Sequence, residues 1–278
     1  MITLNLFDEN FRHCDYSVAH QESQHVRWVR DRKVWDGITL FTDAYVIDGT
    51  ASEVQCPVKV GWLHEPQSLH PRNYRESVAV CDEFDFILTY WRPLLAMHGF
   101  EFCPYGGVWI PQAEWRMHEK RQLVSMLYGS KMSAPGHRMR HEIAAALGDY
   151  SPVDFYGFKG VPTNYGWETK LRVHAPYMFS IVCETAEEDN LFTEILLDCF
   201  AVGCVPLFWG APNIGSFFDG RGIIQFNTAE EAEYLVRCLT PALYREMEPY
   251  VRNNLREVAK YRVTEDWMVE SGVFEGVM

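Results

Sequence analysis

Positive charge is scarce in this 278-residue chain, where 25 Lys and Arg stand against 38 Asp and Glu for a formal net charge of −13. Such a surface repels phosphate backbones, which argues against a nucleic-acid polymer as partner and leaves room only for a local basic pocket around a small phosphate-bearing ligand. No apolar run approaches the roughly 18–20 residues that span a bilayer. The N-terminal residues Met1 to Asp8 lack the basic stretch and long apolar core of a signal peptide. The eight cysteines are scattered without a CxxC pair, and several sit inside apolar runs, as Cys183 does. That pattern predicts reduced core thiols in a cytosolic protein, and neither a disulfide framework nor a zinc site. Repeats, heptads and low-complexity segments are missing, which excludes solenoids and coiled coils. Neither GxGxxG nor GxxxxGK[ST] nor GxSxG occurs, so dinucleotide, P-loop and serine-hydrolase readings fail. His137 and His141 lie four apart on a predicted helix, but no third ligand accompanies them, and no metal site is expected.

What is present is an ordinary globular composition, 47% hydrophobic and 23% charged, enough for one large domain or two of common size. In the first half, Ile38–Thr42, Val58–Leu63, Phe84–Thr89 and Phe100–Cys103 read as strands, with helical stretches near 20–31, 71–82 and 91–98. Residues 112–122 turn polar and suggest a hinge or linking helix. Beyond them, strands at 123–128, 153–157, 179–183, 205–209 and 222–226 alternate with helices at 136–147, 169–176, 191–202 and 228–239, and a short helix falls near 214–218. The last forty residues read as helical to Tyr261 and irregular thereafter. Strands alternating with helices imply right-handed βαβ crossovers and a mostly parallel, doubly wound sheet. The expected class is α/β, with two Rossmann-like domains facing a cleft: residues 1–118, residues 119–240, and a helical segment 241–278 packing back on them. Ligands of such sheets bind beyond the carboxyl ends of the strands, here after Tyr128, Tyr156, Cys183, Trp209 and Phe226. Trp62, Tyr90, Trp91, Tyr105 and Trp109 are mostly core candidates, with one or two available to stack on a ligand.

The most informative stretch runs from Pro176 to Phe226. A strand ends in Glu184-Thr185, an acidic loop follows, and Thr193-Glu194-Ile195 opens a helix whose apolar stripe is 191, 192, 195, 196, 199 and 200. Thr193, Glu194 and Asp198 fall on its other side, toward a cleft mouth or solvent. Taken alone, a carboxylate early in a helix serves the dipole and cap. Tyr177-Met178-Phe179, Cys183-Glu184-Thr185, Thr193-Glu194-Ile195 and Gly203-x-x-Pro206-x-x-Trp209-Gly210 together resemble the C-terminal signature of α-1,3-fucosyltransferases, glycosyltransferase family 10. Arg138-Met139-Arg140 and Val153-Asp154-Phe155-Tyr156-Gly157 fit the same family. The resemblance covers about 120–150 residues. The N-terminal half matches only in outline, through Trp62-Leu63-His64-Glu65-Pro66 and Phe84-Asp85-Phe86.

The resemblance implies a GT-B-like inverting glycosyltransferase that moves a sugar, fucose from GDP-fucose, onto a glycan hydroxyl without a required cofactor. The N-terminal domain would then serve the acceptor and the C-terminal domain the nucleotide sugar. Glu184 and Glu194 would face the donor sugar and ribose, with Glu194 stabilising an oxocarbenium-like transition state. Arg140, with Arg138 beside it, would bind the diphosphate through a guanidinium fork. Thr185 would stand on the donor side in place of the family's asparagine. Glu65 would be the base that takes the acceptor proton. The chain also lacks the membrane anchor of Golgi-resident members, so a soluble enzyme of bacterial or viral type is expected. The family's lysine after Thr-Glu is Ile195 here, which removes a charge the leaving group needs. Lys131, Lys170 and Arg221 are the cations that could replace it. A different nucleotide-sugar donor, or a non-catalytic nucleotide-sugar or glycan-binding protein, are the alternatives that this departure leaves open.

Overall fold

The computed structural model describes residues 1–12, 17, 21–148, 152–164 and 166–277. Two compact units divide the chain: Met1–Gly107 together with Arg262–Met278 (unit 1), and Val108–Tyr261 (unit 2).

Unit 1 is built on six parallel strands, β1 (Ile2–Phe7), β2 (Val26–Arg30), β3 (Ile38–Thr42), β4 (Val58–Leu63), β5 (Phe86–Thr89) and β6 (Phe100–Phe102), in the order β2-β1-β3-β4-β5-β6. Buried Leu4, Leu6, Leu40, Val60, Trp62 and Leu88 form its core, and strands buried on both faces explain the unbroken apolar runs. The short helices α1 (Ala44–Ile47), α2 (Thr50–Glu53), α3 (Pro71–Val80) and α4 (Arg92–Leu95) connect the strands. Two expectations fail here. Residues 26–30 are an edge strand in place of a helix, pairing from Ile2↔Val26 to Leu6↔Arg30, because the partner strand β1 provides a ladder that no local pattern announces. The helix expected over 91–98 shrinks to one turn.

Unit 2 carries β7 (Gln122–Tyr128), α5 (Pro135–Leu147), β8 (Val153–Gly157), α6 (Trp167–His174), β9 (Tyr177–Cys183), α7 (Glu194–Ala201), β10 (Val205–Trp209), β11 (Ile224–Gln225), α8 (Ala229–Cys238) and α9 (Pro241–Glu257). The strands are parallel, in the order β11-β10-β9-β7-β8. Val124, Met126, Phe179, Ile181, Val205 and Leu207 anchor the core. The polar stretch after Pro111 holds one 3-10 turn, Gln112–Glu114, and no longer helix. The strand expected at 222–226 keeps only two paired residues, since Gly222 is pressed against α9, where a Cβ would lie 2.7 Å from the Asn254 side chain.

The segment after Tyr261 forms a helix where an irregular end was expected: α10 (Thr264–Glu270) belongs to unit 1. Its Asp266 accepts hydrogen bonds from Ser23 Oγ (2.5 Å) and from the backbone N–H of Gln24 (2.9 Å) and His25 (3.0 Å). Residues some 240 positions apart thus fix each other, which local periodicity cannot show. Among the described residues no helix is long and apolar enough to cross a membrane. The seven described cysteines are free thiols, while Cys14 lies outside the described residues.

Candidate functional site

In unit 2 the strand order reverses between β7 and β9, and connections leaving these neighbours depart to opposite sides, which opens a crevice at their carboxyl ends. A cavity of about 340 Å³ lies there, lined by Tyr128 and Gly129 at the end of β7, Gly157 after β8, Val182 of β9, and the side chains of Trp109, Arg140, Lys170, Glu194 and Ile195. Glu194 is the first residue of α7. Thr193 caps that helix, its hydroxyl accepting from the Ile195 N–H at 3.3 Å, an ordinary way to satisfy a free helical donor.

The Glu194 carboxylate meets the Lys170 ammonium at 3.4 Å, and the same ammonium lies 3.6 Å from Asp198 Oδ2 and 5.1 Å above the Trp109 ring. Asp198 does not face solvent: it is fully buried. Its Oδ1 accepts the backbone N–H of both Trp109 and Ile110 at 2.9 Å. Burial pushes its carboxyl up to about 7, against the pull of Lys170. Asp198 therefore positions Trp109 and Lys170 without entering the cavity. Thr193 is buried as well, so of the three polar residues expected on the open side of α7 only Glu194 reaches the pocket.

Arg140 projects from α5 and donates from Nε (3.1 Å) and Nη2 to the Cys183 carbonyl at the end of β9. A guanidinium carries five N–H donors, so this clamp orients the group and leaves donors over. Glu184, the other carboxylate of the signature, is fully buried. Its two oxygens accept from the Thr193 N–H (2.9 Å) and hydroxyl (2.8 Å), and the residue does not line the cavity. It ties the end of β9 to the start of α7. Thr185 does not line the cavity either; its carbonyl accepts the Gly136 N–H at 2.8 Å, and its hydroxyl is buried without a partner among the described residues. Arg138 is exposed and donates to the Met132 carbonyl at 3.3 Å. The sequence-predicted residues that meet at the cavity are therefore Arg140 and Glu194.

Of the three replacement cations, Lys170 lines this cavity and is engaged by two carboxylates, and Lys131 lines a smaller adjoining cavity together with Arg140. Arg221 is exposed, paired with Asp219 at 2.9 Å, and lines neither cavity. Buried His174, Cys199 and Cys204 do approach one another, but each is already bonded within the core, to Ser180 Oγ, the Cys204 carbonyl and the Val205 carbonyl respectively.

Glu65 belongs to unit 1 and follows β4. The carboxylate of buried Asp43, at the end of neighbouring β3, accepts the backbone N–H of His64 (3.0 Å) and Glu65 (2.9 Å) through Oδ1 and the Asn10 amide (2.7 Å) through Oδ2. Burial, then the charge of Glu65, pushes the Asp43 carboxyl up to about 7. Asp43 was missed from the sequence. Its signal was its place one residue beyond a buried parallel strand, the same kind of place that singles out Glu65. Of the aromatic candidates, Trp62 and Tyr90 are core, and Trp109 lines the cavity of unit 2.

The burial of Glu184 has a consequence for pH. Its carboxyl is pushed up to about 7 by desolvation, against the Thr193 hydrogen bonds. The folded state then binds this proton more tightly than the unfolded chain, so stability is lost as pH rises from about 4.5 to about 7. Glu184→Gln keeps an acceptor for the Thr193 N–H and removes the titration. Denaturation at pH 5 and pH 8 should show the variant gaining on the wild type by up to about 3 kcal/mol at the higher pH. An equal difference at both pH values would show that Glu184 is already ionised in the folded protein.

No protein-family model matches the chain, and no curated protein sequence matches it either. Solved structures do resemble it. An α1,3-fucosyltransferase with GDP superposes with a TM-score of 0.58 at 13% identity, over 93% of this chain and 88% of that one. An α,α-trehalose-phosphate synthase (UDP-forming) from Burkholderia xenovorans, in complex with glucose-6-phosphate, gives 0.56 at 13% identity, over 86% and 74%. A mutant of S. aureus TarM in complex with fondaparinux, α-GlcNAc-glycerol and UDP gives 0.58 at 10% identity, over 84% and 54%. At these identities the likeness establishes architecture: two Rossmann-like units with the GT-B glycosyltransferase fold.

Proposed function

We propose that the chain is an inverting glycosyltransferase that uses a nucleotide-sugar donor, GDP-fucose, and a glycan hydroxyl as acceptor. The observation that carries this reading is the cavity at the switch point of unit 2, where one carboxylate from the start of a helix and one clamped arginine share a crevice of about 340 Å³. The two together suit a donor whose sugar carbon turns positive while its phosphate turns negative. The GT-B likeness, which includes an α1,3-fucosyltransferase with GDP, supports it.

In this reading Glu194 stands by the anomeric carbon and stabilises positive charge there, held in place by Lys170. Arg140 binds the diphosphate. The acceptor oxygen forms a bond to the anomeric carbon as the bond from that carbon to the phosphate oxygen breaks. The electron pair leaves with the nucleoside diphosphate, and the acceptor proton passes to Glu65. Glu184 orders the β9–α7 connection and does not touch the donor. The domain roles follow: unit 1 for the acceptor, unit 2 for the nucleotide sugar. A second reading, transfer from another nucleotide sugar, is favoured by Ile195 on the cavity wall where the resembling family has a lysine, and by the UDP of TarM.

A panel of GDP, UDP, CMP and dTDP compounds separates these readings. The matching diphosphate at a hundredfold its dissociation constant should stabilise the protein by about 2.7 kcal/mol, and release of that nucleotide from its sugar should require a glycan acceptor. Stabilisation by none of the four would contradict both. Arg140→Ala should weaken binding of the matching diphosphate by about 1.5–3 kcal/mol, the scale of a charged hydrogen bond. Unchanged affinity in a variant with wild-type melting behaviour would remove Arg140 from the site.

A further inference from the structure

Beside the switch-point cavity lies a smaller one of about 240 Å³, lined by Gly129, Ser130, Lys131, His137 and Arg140. Gly129 and Arg140 line both. The two differ in charge. In the switch-point cavity the Lys170 ammonium is shared by Glu194 and Asp198, so cationic charge there is already offset. Among the described residues no carboxylate lines the small cavity. The Lys131 ammonium is exposed and has no partner among the described residues, and Arg140 retains donors beyond those given to Cys183.

His137 is 9% exposed, and its tautomer follows from its bonds. Nδ1 accepts from the backbone N–H of Ala134 at 3.2 Å, with the Ser133 hydroxyl also at 3.2 Å. The ring proton therefore sits on Nε2, the one donor that this cavity-lining ring has left. We propose that this small cavity is the phosphate subsite of the chain, where Lys131 and Arg140 hold the oxygens of a diphosphate and His137 donates Nε2–H to them. The proposal rests on unit 2 being the nucleotide-sugar unit. It also names the cation that stands in for the missing lysine: Lys131, while Lys170 stays with the sugar-side carboxylate.

The same geometry keeps His137 a neutral donor. Burial, followed by the charges of Arg140, Lys131, His141 and Arg138, holds His137 below the usual histidine range, and Nδ1, which accepts the Ala134 N–H, has no room for a second proton.

Calorimetric titration of inorganic pyrophosphate, GDP, UDP and guanosine into wild type, Lys131→Ala and His137→Gln tests this. Lys131→Ala should weaken pyrophosphate and the bound nucleotide diphosphate about tenfold or more and leave guanosine unchanged. Between pH 8 and pH 6 the wild type and His137→Gln should gain affinity alike, the ligand's own ionisation being common to both. Affinities within twofold of wild type in both variants would overturn the subsite while leaving the nucleotide reading intact. Pyrophosphate binding that depends on Lys131, with no binding of GDP or UDP, would support the subsite and defeat the nucleotide reading. A wild type that binds neither pyrophosphate nor a nucleotide diphosphate would overturn both.

Discussion

Glu65→Gln should lower turnover about 10²–10⁴-fold, the range over which a positioned general base contributes, while affinity for the donor diphosphate stays within twofold of wild type. The substitution keeps size and shape and removes only the capacity to accept a proton. The local backbone does not depend on the lost charge: the Glu65 N–H is held by Asp43 and its carbonyl by the Tyr74 hydroxyl at 2.8 Å. Asp43 is a poor substitute base, because its two oxygens are already engaged by His64, Glu65 and Asn10. Transfer assays at saturating donor, with kcat separated from KM, decide the point. A variant that retains near-normal kcat would show that the acceptor proton leaves by another route and that the outline match in the N-terminal half misassigned Glu65.

The second large effect is on folding. The first turn of α5 is pressed against the carboxyl end of β9: Gly136 donates its N–H to the Thr185 carbonyl at 2.8 Å, and a Cβ at this position would lie 1.7 Å from the Glu184 carbonyl oxygen and 3.0 Å from the Trp209 ring. A backbone oxygen in the middle of a sheet crevice cannot swing aside as a side chain does. Overpacking commonly costs about 1–3 kcal/mol, and a clash with backbone belongs at or beyond the top of that range. Gly136→Val should therefore destabilise unit 2 by about 3 kcal/mol or more. Gly215→Ala, where a Cβ meets nothing within 4 Å, should stay within about 0.5 kcal/mol of wild type. Denaturation of both variants checks this. A Gly136→Val protein as stable as the Gly215→Ala control would mean that α5 sits farther from β9 than these distances imply. Because α5 also carries His137 and Arg140, Gly136 sets how closely these side chains approach the strand ends.

What could be read from the sequence follows from where the information is local. Strands 38–42, 58–63, 153–157 and 205–209 are five or six residues of mostly apolar chain bounded by polar turns, and the structure has them with the same bounds. The parallel, doubly wound class followed from their alternation with amphipathic helices. The edge strand Val26–Arg30 was misread because its identity depends on pairing with β1, and α10 because its Asp266 finds its partners in Ser23 to His25. The site divides in the same way. Glu194 and Arg140 were visible through the spacing of the signature, and they do share a cavity. Spacing could not tell that the Glu184 carboxylate is consumed by Thr193. Nor could it tell that Asp198, on the polar side of its helix by periodicity, turns inward to hold the backbone of Trp109 and Ile110. A helical wheel separates faces and does not say which face another segment covers. Asp43 went unseen for a related reason: its importance lies in bonds to the loop after the next strand.

The central claim is that unit 2 holds a nucleoside diphosphate at the switch point of its sheet. Hydrogen exchange of the whole chain, with and without the saturating nucleotide diphosphate of the stabilisation panel, tests it most directly. Protection should appear in the backbone around Tyr128–Lys131, after Gly157, along α6 near Lys170, and at Glu194–Ile195, the segments that line the two cavities, while β2 and β6 of unit 1 remain unchanged. Protection confined to unit 1, or nucleotide binding with no change in these segments of unit 2, would contradict the account.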